Sequence, residues 1–118
     1  MGVHQFVHIG YLAMVGGMTR VDRDVPPYCL AEGHPGRIRG LNKVGIKRKS
    51  IDKDNKEEYL QLIKIWNLLF KSEYVISDSL KMARQENLFQ SSARLCGFIE
   101  LSIGKGRRGL MPTLAPTK

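Results

Sequence analysis

The chain has 118 residues, of which 42% are apolar and 25% charged, as in a folded domain rather than a disordered segment. It contains no apolar stretch long enough to span a membrane and no secretory signal pattern near Met1, so we expect a cytoplasmic protein without a membrane segment. The net charge of +8 favours anionic partners. Its two cysteines, Cys29 and Cys96, lack zinc-site spacing, which predicts reduced thiols and no metal.

The opening of the chain repeats every six residues. One position of each repeat carries a β-branched side chain: Val3, Ile9, Val15 and Val21. Small or β-branched side chains follow four residues later: Val7, Ala13, Thr19 and Val25. This pattern predicts a parallel β-helix, in which each hexapeptide supplies one short strand and one corner that favours small residues. The alternative is a pair of amphipathic strands with accidental spacing.

Three such repeats complete one triangular coil, so residues 3–20 predict one coil and Val21 begins the next. Because one coil has almost no core, we expect either further coils upstream or stacking on another chain, and we favour the former. The prolines at Pro26 and Pro27 are expected to stop the repeat, since they remove backbone donors. Residues 29–31 predict one more strand, residues 32–36 a loop, and residues 41–44 a short helical element.

The second half of the chain predicts three helices. Asp54 is a candidate N-cap with Glu57 in capping-box spacing, and the first helix is expected to end near Lys71. Its apolar stripe is too wide for a surface helix, so it requires cover on more than one side. Further helices are predicted over residues 77–86 and 91–103. The predicted domains are the terminal β-helix coils with their exit loop (1–40), an α-helical domain (41–111) and a frayed tail (112–118).

Several short strings together resemble one family of enzymes. They are VHQF at residues 3–6, IG at 9–10, VGG at 15–17, DVPPY at 24–28, GLN at 40–42 and GIKR at 45–48. This pattern resembles the C-terminal portion of the acyl-carrier-protein–UDP-N-acetylglucosamine O-acyltransferases. The resemblance implies a left-handed parallel β-helix followed by a helical domain, assembled as a homotrimer. It also implies acyl transfer from acyl carrier protein to the 3-hydroxyl of UDP-N-acetylglucosamine, opening lipid A synthesis, without metal or other cofactor.

The resemblance also assigns roles to five positions. His4 and Gln5 are expected to line the substrate cleft, and Gly17 matches the position that limits acyl-chain length; corner geometry is the alternative explanation for this glycine. Asn42 and Arg48 match residues that contact the nucleotide or the phosphopantetheine region. The family's general-base histidine and oxyanion donor match no position here, so we expect no catalytic residue in this chain and no activity from it alone.

Two positions depart from the family pattern. Val44 stands where a glutamate often helps to hold the nucleotide, which weakens the expectation of sugar-nucleotide recognition. His34 lies one place earlier than the usual loop histidine; it either replaces that histidine or is a surface loop residue, and we favour the latter. Lys47 and Lys49 flank Arg48 and are expected either to attract the acidic carrier protein or to be plain solvated surface.

Two other functions were weighed against acyl transfer. The first is a non-enzymatic remnant that trimerises and binds an acidic partner protein. The second is nucleic-acid binding, suggested by the net charge of +8. The sequence lacks interleaved aromatic residues, a helix-turn-helix pattern and zinc spacing, so we expect no nucleic-acid partner.

Overall fold

Short strands form the first third of the chain and helices most of the rest. The computed structural model describes residues 2–3, 6–49, 55–104, 107 and 109–113. The strands are β1 (Gly2–Val3), β2 (Met14–Val15), β3 (Arg20–Val21), β4 (Cys29–Glu32) and β5 (Arg37–Leu41). The helices are α1 (Lys43–Arg48), α2 (Lys56–Phe70), α3 (Ile76–Arg84) and α4 (Gln90–Ser102). Among these residues, no helix has the length and hydrophobicity needed to cross a bilayer.

The strand pairing confirms the predicted coil. Strands β1 and β3 pair in parallel with Val3 opposite Val21, an offset of 18 residues that equals three hexapeptides. On the next face Ile9 pairs with Val25, and on the third β2 pairs in parallel with β4. Residues 3–20 therefore form one coil on which a second coil stacks.

The six-residue period breaks before the two prolines, as predicted, because Val21 and Val25 are four residues apart, but strand stacking continues through the prolines, so the prediction that they stop it is wrong. Gly10 N–H donates to the Val25 carbonyl at 2.8 Å, and Tyr28 N–H donates to the Tyr11 carbonyl at 2.9 Å. Pro26 and Pro27 lie between these two bonds, where their missing donors cost nothing. A Cβ on Gly10 would approach the Pro27 nitrogen to 2.5 Å, so this glycine makes room for the ring.

The second coil is two residues shorter than the first. The offset between paired residues falls from 18 at Val3 and Val21 to 16 at Ile9 and Val25, and it remains 16 between Val15 and Ala31. Burial increases along the same direction. Ile9 is 42% exposed, whereas Val21, Val25 and Ala31 are buried. The prism therefore narrows and closes towards the helical half.

The corners of the first coil carry large residues rather than the small ones that the sequence predicted. Phe6, Leu12 and Met18 have φ of +68°, +56° and +62°, and Tyr28 repeats this conformation in the second coil. Phe6 and Met18 are 76% and 85% exposed, so at these two corners the side chain points into solvent and its size is unconstrained, whereas Leu12 is half-buried and Tyr28 is buried. The cost is backbone strain, because L-residues in the left-handed region lose about 1–2 kcal/mol each.

An antiparallel hairpin and a returning segment close the far end of the prism. Strands β4 and β5 pair antiparallel around the turn that contains exposed His34. Ile38 N–H donates to the Pro112 carbonyl at 2.9 Å, and Thr113 also pairs with Ile38. Pro112 and Thr113 are thus held in place, in contrast to the predicted frayed tail, and residues 114–118 lie outside the described residues.

The helices follow the prediction with small shifts in their ends. The proposed capping residue Asp54 lies outside the described residues, and the first long helix is capped by Asn55, whose Oδ1 accepts from Glu58 N–H at 3.1 Å. The short helix α1 begins at Lys43 because Leu41 belongs to β5, which the sequence did not predict. Helix α2 is covered on one side by the sheet, through Trp66 and Cys29, and on another by α3 and α4. The sheet and the other two long helices of this chain therefore cover the wide apolar stripe of α2.

Asp24 joins three distant parts of the chain through one buried carboxylate. Its Oδ1 accepts from His8 N–H at 2.8 Å, while Oδ2 accepts from Ser102 Oγ at 2.6 Å and from Arg107 Nη2 at 2.9 Å. Its backbone pairs with Gly109 and Met111. Asp24 is fully buried. A buried charge of this kind is tolerated only when all of its partners are present.

Replacement of Asp24 by asparagine is expected to lower the free energy of unfolding by about 3–5 kcal/mol, because Arg107 loses its counter-charge inside the protein. Glu100→Gln is the matched control. Glu100 pairs with Arg84 on the surface, where loss of the pair costs about 0–1 kcal/mol. Urea denaturation of both variants measures the difference. Equal losses would show that Asp24 contributes no more than a surface ion pair.

The corner geometry predicts opposite effects at two exposed methionines. Met18→Gly is expected to stabilise the chain by about 1 kcal/mol, because glycine relieves the left-handed strain. Met14→Gly, in strand β2, is expected to destabilise it by about 1 kcal/mol, because an extended residue gains nothing from glycine. Thermal unfolding of the two variants checks this. Destabilisation by both substitutions would contradict the strain assigned to the corner.

Candidate functional site

Three of the five predicted site residues, Gly17, Asn42 and Arg48, lie in the described part of the chain. His4 and Gln5 lie outside the described residues. Gly17 is exposed in the turn between β2 and β3, and a Cβ built on it would meet nothing within 4 Å. The open space beside Gly17 removes packing against this chain as an explanation of the glycine.

Asn42 is the best defined of these residues, and both polar ends of its side chain form hydrogen bonds inside the chain. Its Oδ1 accepts from Gly45 N–H at 3.0 Å, which caps α1, and its Nδ2 donates to the Leu12 carbonyl at 2.8 Å. The backbone of Asn42 also donates to the Tyr28 carbonyl at 2.6 Å. With 7% of its surface exposed, Asn42 fastens α1 to the corner of the first coil.

Gly45 is required by this cap. A Cβ at this position would clash with Asn42 Nδ2, lying closer to it than real contacts allow. The sequence contains a signal for this cap. Asparagine is a favoured N-cap residue, because its side-chain oxygen can accept a hydrogen bond from the backbone N–H three residues later.

Helix α1 presents a row of exposed cations beyond this cap. Lys47 and Arg48 lie in its last turn and Lys49 follows as C-cap, where positive charge is favourable for the helix. Arg48 is exposed. The guanidinium is thus available for a phosphate or carboxylate, for which its planar donor fork is suited. Val44 is 55% exposed on the same helix, so its side chain also faces outwards.

An aromatic and cationic cluster, which the sequence did not predict, holds α4 against the coils. Arg94 Nη1 donates to the Tyr28 hydroxyl at 2.7 Å, and the guanidinium lies 4.3 Å from the centroid of the Tyr11 ring. Burial raises the pKa of Tyr28, and the bond from Arg94 opposes part of that rise. The phenol therefore stays neutral at physiological pH, and the cluster positions Tyr28 rather than activating it.

Both cysteines are buried thiols without a partner cysteine. Cys29 Sγ accepts from Trp66 Nε1 at 3.3 Å, and burial raises the pKa of Cys29 to about 12. Burial also raises the pKa of Cys96. Protonated, inaccessible thiols are poor nucleophiles. Among the residues that the structure describes, no group of histidine, cysteine and carboxylate side chains is arranged to hold a metal ion.

A cleft lies beside Asn42, between the outer face of the sheet and helix α2. Its volume is about 620 Å³, within the range of roughly 300–1,000 Å³ that is usual for small-molecule sites. Its walls include residues 39–44, which join β5 to α1, and Trp66 of α2. The sequence could not reveal it, because its walls come together only through the register of the sheet.

A short parallel β-helix closed by a helical cap is the architecture of hexapeptide-repeat proteins. The family model described as "Udp N-acetylglucosamine O-acyltransferase; Domain 2" matches residues 24–111. The chain belongs to this family of UDP-N-acetylglucosamine O-acyltransferases, and its β-helix is of the left-handed type. The predicted family and fold class are thereby confirmed.

Curated relatives and solved structures agree with this assignment. The acyl-[acyl-carrier-protein]–UDP-N-acetylglucosamine O-acyltransferase of Gloeothece citriformis is 41% identical over 95% of this chain, and that of Synechocystis is 40% identical over 95%. The crystal structure of the Arabidopsis UDP-N-acetylglucosamine acyltransferase superposes with a TM-score of 0.81 at 31% identity, covering 92% of this chain and 39% of that one. The chain spans about 40% of the length of the curated relatives.

The Asn42 cap can be tested by a graded pair of substitutions. Asn42→Ala removes both side-chain bonds and is expected to cost about 2 kcal/mol, whereas Asn42→Ser keeps an N-cap acceptor for Gly45 N–H, loses the donor to Leu12 and is expected to cost about 1 kcal/mol. Chemical denaturation gives the free energies, and helix content by circular dichroism reports the cap. If neither substitution changes stability, the two bonds do not hold α1.

Proposed function

We propose that the protein represented by this chain transfers a 3-hydroxyacyl group from acyl carrier protein to the 3-hydroxyl of UDP-N-acetylglucosamine, the first step of lipid A synthesis. The observation that carries this proposal is the 40–41% identity, over 95% of the chain, to relatives named as acyl-[acyl-carrier-protein]–UDP-N-acetylglucosamine O-acyltransferases. We further propose that it works as a cytoplasmic homotrimer without metal or other cofactor. The acyl group arrives as the phosphopantetheine thioester of the carrier protein.

The described residues support a binding role rather than a catalytic one. Arg48 offers a planar donor fork to phosphate, and Lys47 and Lys49 add positive charge that attracts an acidic carrier protein. Gly17 opens onto free space that an acyl chain can enter. His4 and Gln5 keep their proposed place in the substrate cleft. Asn42 acts by holding α1 in position, since both polar ends of its side chain are bonded inside the chain.

We also propose that this chain is inactive alone. No residue of it matches the family's general base, and a positioned base contributes about 10²–10⁴-fold in rate. The departure at Val44 is expected to weaken the hold on the nucleotide rather than to abolish transfer, because Arg48 remains available beside it.

The test is acyl transfer by the protein that carries the family's upstream coils together with this segment. It should acylate UDP-N-acetylglucosamine with carrier-bound 3-hydroxyacyl groups, and Gly17→Met should shift its preference to shorter chains by filling the open space. The matched control is Gly97→Ala, in α4, which should leave chain length unchanged. Absence of transfer at every chain length would reject the function. Transfer with unaltered length preference in Gly17→Met would reject only the role of Gly17.

A non-enzymatic role has one observation in its favour. A single buried core includes residues of the second coil and of all three long helices, such as Val21, Tyr28, Leu62, Ala83 and Leu95, and apolar side chains of the first coil pack against it. Such a core favours a chain that folds by itself and displays its basic helix to an acidic partner protein. Light scattering on this chain alone distinguishes the non-enzymatic role from the enzyme segment. A folded trimer supports the non-enzymatic role, and an aggregated chain excludes it.

A further inference from the structure

The N-cap residue of α1 is bonded to two stacked corners of the β-helix. Leu12 and Tyr28 have left-handed backbones, with φ of +56° and +64°, and the offset between the two coils stacks Tyr28 on Leu12. The Leu12 carbonyl accepts from Asn42 Nδ2 at 2.8 Å, and the Tyr28 carbonyl accepts from Asn42 N–H at 2.6 Å. Asn42 in turn caps α1 through Gly45 N–H. The position of α1 therefore depends on both corner carbonyls.

The corner at Tyr28 differs from the exposed corners because its side chain is held from outside the coils. Phe6 and Met18 project into solvent, whereas Tyr28 is buried and its hydroxyl accepts from Arg94 Nη1 at 2.7 Å. The edge of the Tyr28 ring also meets the ring of Tyr11, with centroids 5.9 Å apart and planes at 82°. A residue other than glycine keeps a left-handed conformation only where its surroundings determine it. At Tyr28 those surroundings include a side chain of the helical half.

Arg94 contacts the side chains at both corners from helix α4. Its guanidinium lies 4.3 Å from the centroid of the Tyr11 ring while Nη1 donates to Tyr28. Tyr11 directly precedes Leu12 in the chain, and its carbonyl accepts from Tyr28 N–H at 2.9 Å. A charged donor forms a stronger bond than a neutral one, and a cation over an aromatic ring is attracted to it. One side chain of α4 thus steadies both corners that hold Asn42.

We propose that Arg94 is a positioning residue for helix α1. By holding Tyr11 and Tyr28, it keeps in place the two carbonyls that bind Asn42, and it thereby helps to set the position of Arg48. The inference rests on the proposed function, in which the exposed guanidinium of Arg48 binds phosphate. It extends that function to α4, a helix with no assigned part in substrate binding, and Arg94 acts only through the protein.

Arg84 provides a matched control for substitutions at Arg94. Its Nε and Nη2 both donate to Glu100, so it also joins α4 through a guanidinium, but on the exposed side of that helix. Arg84→Met and Arg94→Met remove the same charge and the same donors. Arg94→Lys keeps a cation and a donor and is the conservative variant, while Tyr28→Phe removes the hydroxyl alone.

The first measurement is hydrogen–deuterium exchange over residues 42–49, in the protein that carries the family's upstream coils together with this segment. Arg94→Met should speed exchange of the Asn42 and Ile46 amides about three- to tenfold. The reason is that Asn42 N–H donates to the Tyr28 carbonyl and Ile46 N–H donates to the Asn42 carbonyl, so both bonds open more often when the corner loosens.

The variants separate positioning from a general loss of stability. Tyr28→Phe should resemble Arg94→Met, Arg94→Lys should restore most of the protection, and Arg84→Met should leave residues 42–49 unchanged. Exchange over α2 should stay the same in all four variants. A residue that only stabilised the fold would instead speed exchange over α2 as well.

The second measurement is the steady-state kinetics of acyl transfer by the same protein. Arg94→Met should raise KM for UDP-N-acetylglucosamine about three- to tenfold and change kcat by less than about twofold, because α1 contributes binding rather than chemistry. In an Arg48→Gln background, Arg94→Met should lose most of this effect, since both substitutions then weaken the same interaction. Arg84→Met should change neither constant.

The proposal is overturned by unchanged exchange over residues 42–49 in Arg94→Met, by an equal effect of Arg84→Met, or by full additivity of Arg94→Met with Arg48→Gln in KM. The two measurements also separate this proposal from the proposed function. Transfer by the parent protein with unchanged exchange in Arg94→Met keeps the function and rejects the positioning. Faster exchange confined to residues 42–49, in a protein that transfers no acyl group, supports the positioning of α1 and rejects the function.

Discussion

The buried carboxylate of Asp24 is the constraint on which the rest of the structure depends. It accepts bonds from His8, Ser102 and Arg107, which lie 16, 78 and 83 residues away in the sequence. A charge in the protein interior is costly unless each of its lone pairs is used, so the coil, the end of α4 and the returning segment must come together at the same time. The coils and the helices are thus energetically one unit. The division near residue 40 separates types of element, while the buried core runs across it.

The same constraint explains which parts of the fold could be predicted from sequence. The hexapeptide period fixed the faces of the first coil correctly, since Val3 and Val21 pair at the expected distance of three repeats. The hexapeptide period could not reveal that the second coil is shorter. The buried Asp24 stands where a corner would be expected, and the period breaks at that point. The two prolines were misjudged for a related reason. A proline lacks a backbone N–H, and this destabilises a strand only at positions whose N–H would bond to the neighbouring coil. Which positions these are depends on how the two coils align.

The corners and the cap show the limit of residue-type rules. Small residues were expected at the corners, but a left-handed residue that points into solvent, such as Met18, has no limit on its size. Asn42 was assigned to a ligand from resemblance alone. The structure uses both ends of its amide, and only the positions of Leu12 and Gly45 make this visible. The local half of that signal, the N-cap spacing, could have been identified in the sequence, whereas the bond to Leu12 spans 30 residues and could not.

The cap also links the strained corner to the basic helix. Leu12 holds a left-handed conformation, and its carbonyl accepts the amide of Asn42, whose other end begins α1. The backbone of the first coil therefore helps to set the direction of α1, and with it the position of the exposed Arg48. In a protein built from stacked coils, whatever positions that first coil also positions Arg48. The coils thereby fix the position of the cations on α1. A partner that binds α1 is therefore held at a fixed distance and orientation relative to any cleft along the coils.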